Sequence, residues 1–391
     1  MNSAREVEKD ELVNLRRYLH AHPELSGKEE NTLNYIKEYL SKNTGPNRIE
    51  RVGEESLIVT YDFGEGGATI VIRCELDALP IQEVNKFPYR SIHQGVSHKC
   101  GLDGHMSIVV GVGLALEELS LKNGKVVLLF QSAEETGQGA SKVVNDPNFR
   151  ELNPDYVFAL HNIPGEKKGS IISLEKTFAA AVESIAITID GQKTHAAQPE
   201  GGINPSFAIA ELIDRFKSIE ENDPHDSTFC LLTPVHLKVG NKNYGIAPGS
   251  GELHYTIRAW SDEKLSQVKK LVQKILEDIN STHGVKISYE WLEYFPSNEN
   301  NSECNDFIKN AAIKNQYPII ERPFPFRFGE DFGWFSKEYP CGMFGLGAGM
   351  NTPALHQEDY DFPDEILIVG VKMFCGIIQQ ALAEHNQEIN E

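Results

Sequence analysis

Ser97-His98-Lys99-Cys100-Gly101-Leu102-Asp103-Gly104-His105-Met106 sets a thiol, an acid and two imidazoles between glycines, directly before an apolar run with helical spacing. Glycine lets the backbone bend sharply, and thiolate and imidazole are ligands for transition metals such as zinc. A Cys and a His at the start of a helix also occur as plain core packing. The stretch alone therefore leaves both readings open. What decides between them is where the rest of the chain delivers further donors.

Working outward, Gly104 to Leu119 reads as a helix whose small residues Gly111, Gly113 and Ala115 allow close packing on a sheet. Leu57 to Phe63 and Ala68 to Cys74 are β-rich runs around Gly64, Gly66 and Gly67, and predict a hairpin. Lys125 to Phe130 and Tyr156 to Leu160 are almost uninterrupted apolar runs. Such runs suit strands buried on both faces of an α/β sheet. In open α/β sheets the ligand sits beyond the carboxyl ends of the strands. Glu75 and Asp77 follow the run ending at Cys74, Glu134 and Glu135 follow Phe130, and His161 follows Leu160. Acids and a His thus reach one sheet edge, where Cys100 also falls. Val7 to His20 and Glu29 to Leu40 read as helices.

Near residue 180 the pattern changes. Val182 to Ile189 alternates as a strand, Asn204 to Phe216 is helical, and Leu231 to Val239 and Gly251 to Trp260 are strands. Asp262 to Ile279 is an amphipathic helix and Val285 to Leu292 a last strand. This βαββαβ order is a split-βαβ unit, and a unit of that size forms a domain of its own. The expected division is a first catalytic part at 1–178, an insertion at 179–294 and a second catalytic part at 295–391. The returning part holds a helix from Cys304 to Asn315, a Gly-rich strand from Gly342 to Gly349, the segment Leu355 to Phe362, and a closing helix from Asp364 to Glu384.

The formal net charge of −20 over 391 residues disfavours nucleic acid and anionic membranes as partners. Met1 to Glu6 carries no apolar leader, and no apolar run suggests a membrane span, so a cytoplasmic protein is expected. The six cysteines are scattered, which predicts reduced thiols rather than a disulfide framework.

The ligand candidates are Cys100, Glu135, His161 and His356. Thiolate, carboxylate and two imidazoles suit Zn(II), and Mn(II) or Co(II) less selectively. Glu134 sits beside Glu135 on the turn after a strand. One carboxylate of such a pair can bind metal while the other takes a proton from water, the layout of a metal-assisted hydrolysis. A solvated acidic turn is the plain alternative.

Six motifs appear in order. They are Asn14 to Leu25 (NLRRYLHAHPEL), Asp77 to Ile81 (DALPI), Cys100 to His105 (CGLDGH), Phe130 to Glu135 (FQSAEE), Thr194 to Pro199 (THAAQP), and Pro353 to His356 with Asp361-Phe362. The pattern resembles the aminoacylase/carboxypeptidase family of metallopeptidases. The resemblance is to the branch of hippurate hydrolase, N-acyl-amino-acid amidohydrolases and auxin-conjugate hydrolases. It implies a mixed-sheet, zinc-peptidase-like α/β catalytic domain with an inserted ferredoxin-like lid and dimerisation domain. It further implies hydrolysis of N-acyl amino acids or short peptides, a homodimer, and one or two divalent ions. Cys100, Glu135, His161 and His356 match family ligands, and Glu134 matches the general base. His195 matches a residue that stabilises the oxyanion, usually across a dimer. Asn204 and Arg258 fall where substrate is held, Arg258 suiting an α-carboxylate. Asp77 matches an Asp that orients a ligand imidazole, and Glu75 stands where many relatives carry Asp. Asp103, His105, His20 and His22 read as structural.

One position departs from the pattern. The family branch reads Cys-Gly-His-Asp-Gly-His, and this chain has Leu102 at the first of those histidines. Leucine has no lone pair to give. Two expectations follow: a hydrolase with a reduced ligand set, or a metal-depleted relative that binds such substrates without turning them over.

Overall fold

The computed structural model describes residues 7–388; residues 1–6, on which the expectation about a leader falls, lie outside that range. The chain falls into two compact units. The first runs up to Phe178 and resumes over Asn298–Pro323 and from Asp331 onward; the second is Ala179–Ser297 with Phe324–Glu330. Phe324–Glu330 joins the inserted unit because Ala180 N–H donates to the Phe326 carbonyl (3.0 Å) and Phe324 packs with Phe229 and Trp260.

In the first unit eight strands form one sheet. Their order is Arg48–Val52, Ser56–Asp62, Lys125–Gln131, Thr69–Glu75, Tyr156–Pro164, Cys341–Gly349, Ile171–Ser173, Ile319–Glu321. The sheet is mixed: Lys125–Gln131, Thr69–Glu75, Tyr156–Pro164 and Cys341–Gly349 run parallel, and Ser56–Asp62 runs against them. The central strands are apolar and buried along almost their whole length. Helix Leu102–Ala115 packs so closely that a Cβ on Gly104 would come within 2.4 Å of the Phe362 ring. After Ala115 this helix tightens into a 3-10 turn over Leu116–Leu119.

The expected hairpin does not form. Lys125–Gln131 lies between Ser56–Asp62 and Thr69–Glu75, antiparallel to the first and parallel to the second. The Gly-rich link instead wraps the start of the intruding strand, with Phe63 N–H donating to the Gly124 carbonyl (3.0 Å) and Gly124 N–H to that of Gly64 (2.9 Å). The most apolar run gains more from the sheet centre, buried on both faces, than a tight turn gains from closing locally.

The expectation that no segment has the length and apolarity of a membrane span fails at Asp364–His385, which has both. Its apolar residues Met373, Phe374, Ile377 and Ile378 are fully buried in the core of the first unit, as in the core helix of a globular protein. All six cysteines are free and buried, so the expected reduced thiols stand.

In the inserted unit the strand order is Cys230–Val239, Ser250–Ala259, Ala181–Asp190, Lys286–Phe295, all antiparallel. With helices Pro205–Ser218 and Asp262–His283 this is the ferredoxin-like arrangement. Ile185, Ile187, Ile189, Leu253 and Ile257 from the sheet meet Leu212, Phe216, Val272 and Ile279 from the helices.

Candidate active site

Strand Lys125–Gln131 delivers Glu134 and Glu135 on a tightly held turn. Ala133 adopts a left-handed conformation (φ 51°), and its N–H donates to Glu29 Oε1 at 2.7 Å. Asp77 accepts the N–H groups of Glu134 (3.1 Å) and Glu135 (2.9 Å) and the Ser26 hydroxyl (2.7 Å). The Asp77 carboxylate thus fixes the turn that aims both glutamates. Both Asp77 and Glu134 are buried.

Donor atoms of Cys100, Glu135 and His356 all lie within 4.8 Å of one another. His356 Nε2 is 3.8 Å from Glu135 Oε2, and Cys100 Sγ is 3.6 Å from His161 Nε2. His161 Nδ1–H donates to the Asn162 carbonyl (2.8 Å), which fixes the tautomer and leaves the Nε2 lone pair on the side of the thiol. His356 is held in a left-handed conformation (φ 66°) while its N–H donates to the Lys99 carbonyl (2.8 Å). Left-handed backbone at non-glycine residues tends to mark functional positions, and here two such residues, Ala133 and His356, flank one site.

The electrostatics of this group favour a cation. Burial, then the carboxylates of Glu135 and Glu134, push the Cys100 thiol up. Burial, then His105, pulls His161 down to about 3, and burial lowers His356. A thiol and two acids therefore crowd against neutral imidazoles. A divalent ion relieves that repulsion and takes all of these as ligands, so the residues present fit one.

A second layer stands behind the donors. His105 Nδ1 meets Glu75 Oε2 at 2.7 Å and its Nε2 meets Asn162 Oδ1 at 2.5 Å. Asn162 Nδ2 donates to the Tyr360 hydroxyl (2.6 Å). Gly101 has φ 91°, and a Cβ there would lie 2.7 Å from Asn162 Oδ1, so only glycine fits between Cys100 and this amide. Glu75 also pairs with Arg73, and Arg73 donates to Asp331 Oδ1 (2.6 Å) and Gln131 Oε1 (2.9 Å). Asp331 N–H lies 3.4 Å from Glu134 Oε1. Sequence reasoning missed Asn162, Arg73 and Asp331 as parts of the site. The available signal was Arg73, a buried charge inside an otherwise apolar run.

Residues 71–380 match the model of peptidase family M20/M25/M40. The chain belongs to this family. As such it is a hydrolase acting on amides. This M20 hydrolase is 31% identical to N-acetyl-L-cysteine deacetylase of Bacillus subtilis (strain 168) over 385 residues, covering 97% of this chain and 89% of that protein. Among solved structures it is similar to a dinuclear metal-binding peptidase of the M20 family from Bacillus subtilis, with a TM-score of 0.81, 27% identity, and 96% and 98% of the two chains covered. A tripeptidase from Staphylococcus aureus shares the fold at a TM-score of 0.74 and 16% identity, over 96% and 99% of the two chains.

The structure of the M20 hydrolase thus gathers Cys100, Glu134, Glu135, His161 and His356 on the first unit, with Asp77 and Glu75 behind them. His195, Asn204 and Arg258 lie on the inserted unit. His195 is exposed on a two-residue bridge opposite Ile246, and its Nδ1 accepts the Ala197 N–H (3.1 Å). In the neutral ring the proton then sits on Nε2, which makes that atom a donor. Asn204 caps helix Pro205–Ser218 by accepting the Ser206 N–H (3.0 Å). Arg258 donates to the Arg327 carbonyl (2.6 Å).

His20 is structural, as the sequence suggested, in a way that predicts pH dependence. Its Nδ1 faces Asp103 (2.9 Å) and its Nε2 faces Glu83 (3.0 Å), both in the buried interior. Burial opposes the charge, but Asp103 and Glu83 outweigh it and push His20 from 6.5 up to about 9. Burial likewise opposes ionisation of Glu83, but His20 and Lys99 hold it down at about 2 against an ordinary 4.5. The raised imidazole stabilises the fold fully below pH 6.5, and that contribution is lost as pH rises through about 9. The depressed carboxylate acts above pH 4.5 and is lost on acidification towards 2. The melting temperature should therefore fall between pH 7 and 9, and His20→Gln should flatten that fall. Scanning calorimetry across this range checks it; an unchanged alkaline slope in the variant would contradict the assignment.

Proposed function

We propose that this protein hydrolyses the amide bond of N-acyl amino acids or short peptides, with Cys100, Glu135, His161 and His356 holding a divalent ion. The observation that carries the reading is the convergence of the Cys100, Glu135 and His356 donors within 4.8 Å, with Glu134 on the adjoining turn. When bound, such an ion supplies Lewis acidity, lowering the pKa of water and polarising a carbonyl. Zn(II) suits the thiolate best; Mn(II) and Co(II) are the other candidates.

In this reading Glu134 takes a proton from the attacking water and returns it to the leaving amine. Its aim is set by Asp77 through the turn N–H groups. His195 donates its Nε2–H to the developing oxyanion. Arg258 holds the α-carboxylate of the substrate, and Asn204 is a second substrate-contacting group. The inserted unit serves as lid and dimerisation domain of a cytoplasmic homodimer. Leu102 favours a second reading, a metal-depleted relative that binds the same compounds without turnover.

The deciding experiment is an assay on a panel of N-acetyl and N-benzoyl amino acids, with metal supplied and with metal removed by chelator. Metal-dependent release of the free amino acid supports the first reading. Binding without release at any metal supplied supports the second. His195→Ala is expected to lower kcat by about 10²- to 10³-fold with KM nearly unchanged, the usual effect of removing one oxyanion donor. Steady-state kinetics check it, and a loss confined to KM would contradict the role.

A further inference from the structure

An ion of this class takes about four ligands, so two ions sharing a bridging group need roughly six or seven donors. The first unit gathers Cys100, Glu135 and His356 and, through its contact with Cys100, His161. Of the neighbouring acids, Glu75, Asp77 and Asp331 are engaged elsewhere, Asp331 by Arg73 and Gln131. Glu75 pairs with Arg73 and with His105, and the second His105 nitrogen meets Asn162. Asp77 holds the Glu134–Glu135 turn.

Position 102 is where a further donor would stand. Leu102 is the first residue of helix Leu102–Ala115 and lies one turn before His105, on the same face. The His105 ring packs edge-on against His161 with centroids 5.0 Å apart, so this face looks towards the donors. Leu102 is 1% exposed and fills the position with hydrocarbon.

We propose that this chain holds one divalent ion per subunit, and that Leu102 sets that number. The inference rests on the metal reading above and departs from the pair named for the Bacillus subtilis peptidase. Zinc is stripped with chelator, reloaded in excess and desalted. It is then counted per chain by plasma mass spectrometry and by native mass spectrometry of the intact protein. The expected counts are one for the natural chain, one for Leu102→Ala and two for Leu102→His. Two ions in the natural chain would overturn the proposal while leaving the hydrolase reading intact. A Leu102→His protein that melts like the parent and still holds one ion would overturn the role of Leu102. No ion at all would remove the metal reading itself. If Leu102→His does not fold, paramagnetic resonance of the Mn(II)-loaded natural chain still decides: an uncoupled single-ion signal is expected, and exchange-coupled pairs would contradict it.

Discussion

Glu134→Gln is expected to lower kcat on an N-acyl amino acid by about 10²- to 10⁴-fold, the range general acid–base catalysis contributes. The amide keeps the size and shape of the carboxylate but cannot take a proton. Its backbone N–H still reaches Asp77, so the turn should hold. KM and the melting temperature should stay close to those of the parent, because the lost interaction belongs to proton transfer rather than to binding or folding. Glu134→Asp, which retains basicity but moves the oxygens back by one methylene, should fall between the two. Steady-state kinetics with a parallel thermal melt make the comparison. Glu134→Gln retaining more than a tenth of the parent kcat would contradict its role as the base.

The second large effect is on folding. Arg73→Met should destabilise the protein by about 3–5 kcal/mol, the penalty for removing one partner from a buried ion network. Arg73 is 1% exposed, and it is the cation that Glu75 and Asp331 share. Without it two carboxylates remain buried beside each other, and both acquire a strong tendency to protonate. Denaturant unfolding followed by circular dichroism measures the difference. Arg73→Lys should recover only part of the loss, because one ammonium cannot reach Glu75, Asp331 and Gln131 in the forked geometry of guanidinium. A change under 1 kcal/mol for Arg73→Met would show that the network contributes little.

Parts of this architecture are legible in the residues because they are local. The apolar run at Val126 to Phe130 and the acids after it follow from burial and from the position of ligand sites at strand ends. The βαββαβ pattern of the insertion is equally visible, since each of its elements carries its own periodicity. Sheet order is not local. Nothing in Ser56–Asp62 or Thr69–Glu75 announces that Lys125–Gln131 will come between them, because that pairing depends on which strand gains most from the centre. The same holds in the site. Cys100, Glu135, His161 and His356 are distinctive as chemical types, and their motifs bring them forward. Asn162 and Asp331 are ordinary polar residues whose importance appears only once Gly101 and Arg73 are seen to lie against them. Asp77 is an intermediate case: the motif identifies it, and the geometry assigns it the turn.

Metal chemistry at this site requires that the Cys100 sulfur bind a metal in solution. The direct measurement is the near-ultraviolet absorption of the Co(II)-loaded protein, read beside Cys100→Ser loaded in the same way. A thiolate-to-cobalt charge-transfer band in the natural chain that is absent from Cys100→Ser is the predicted result. Cobalt bound without such a band, or the same band in both proteins, would contradict it.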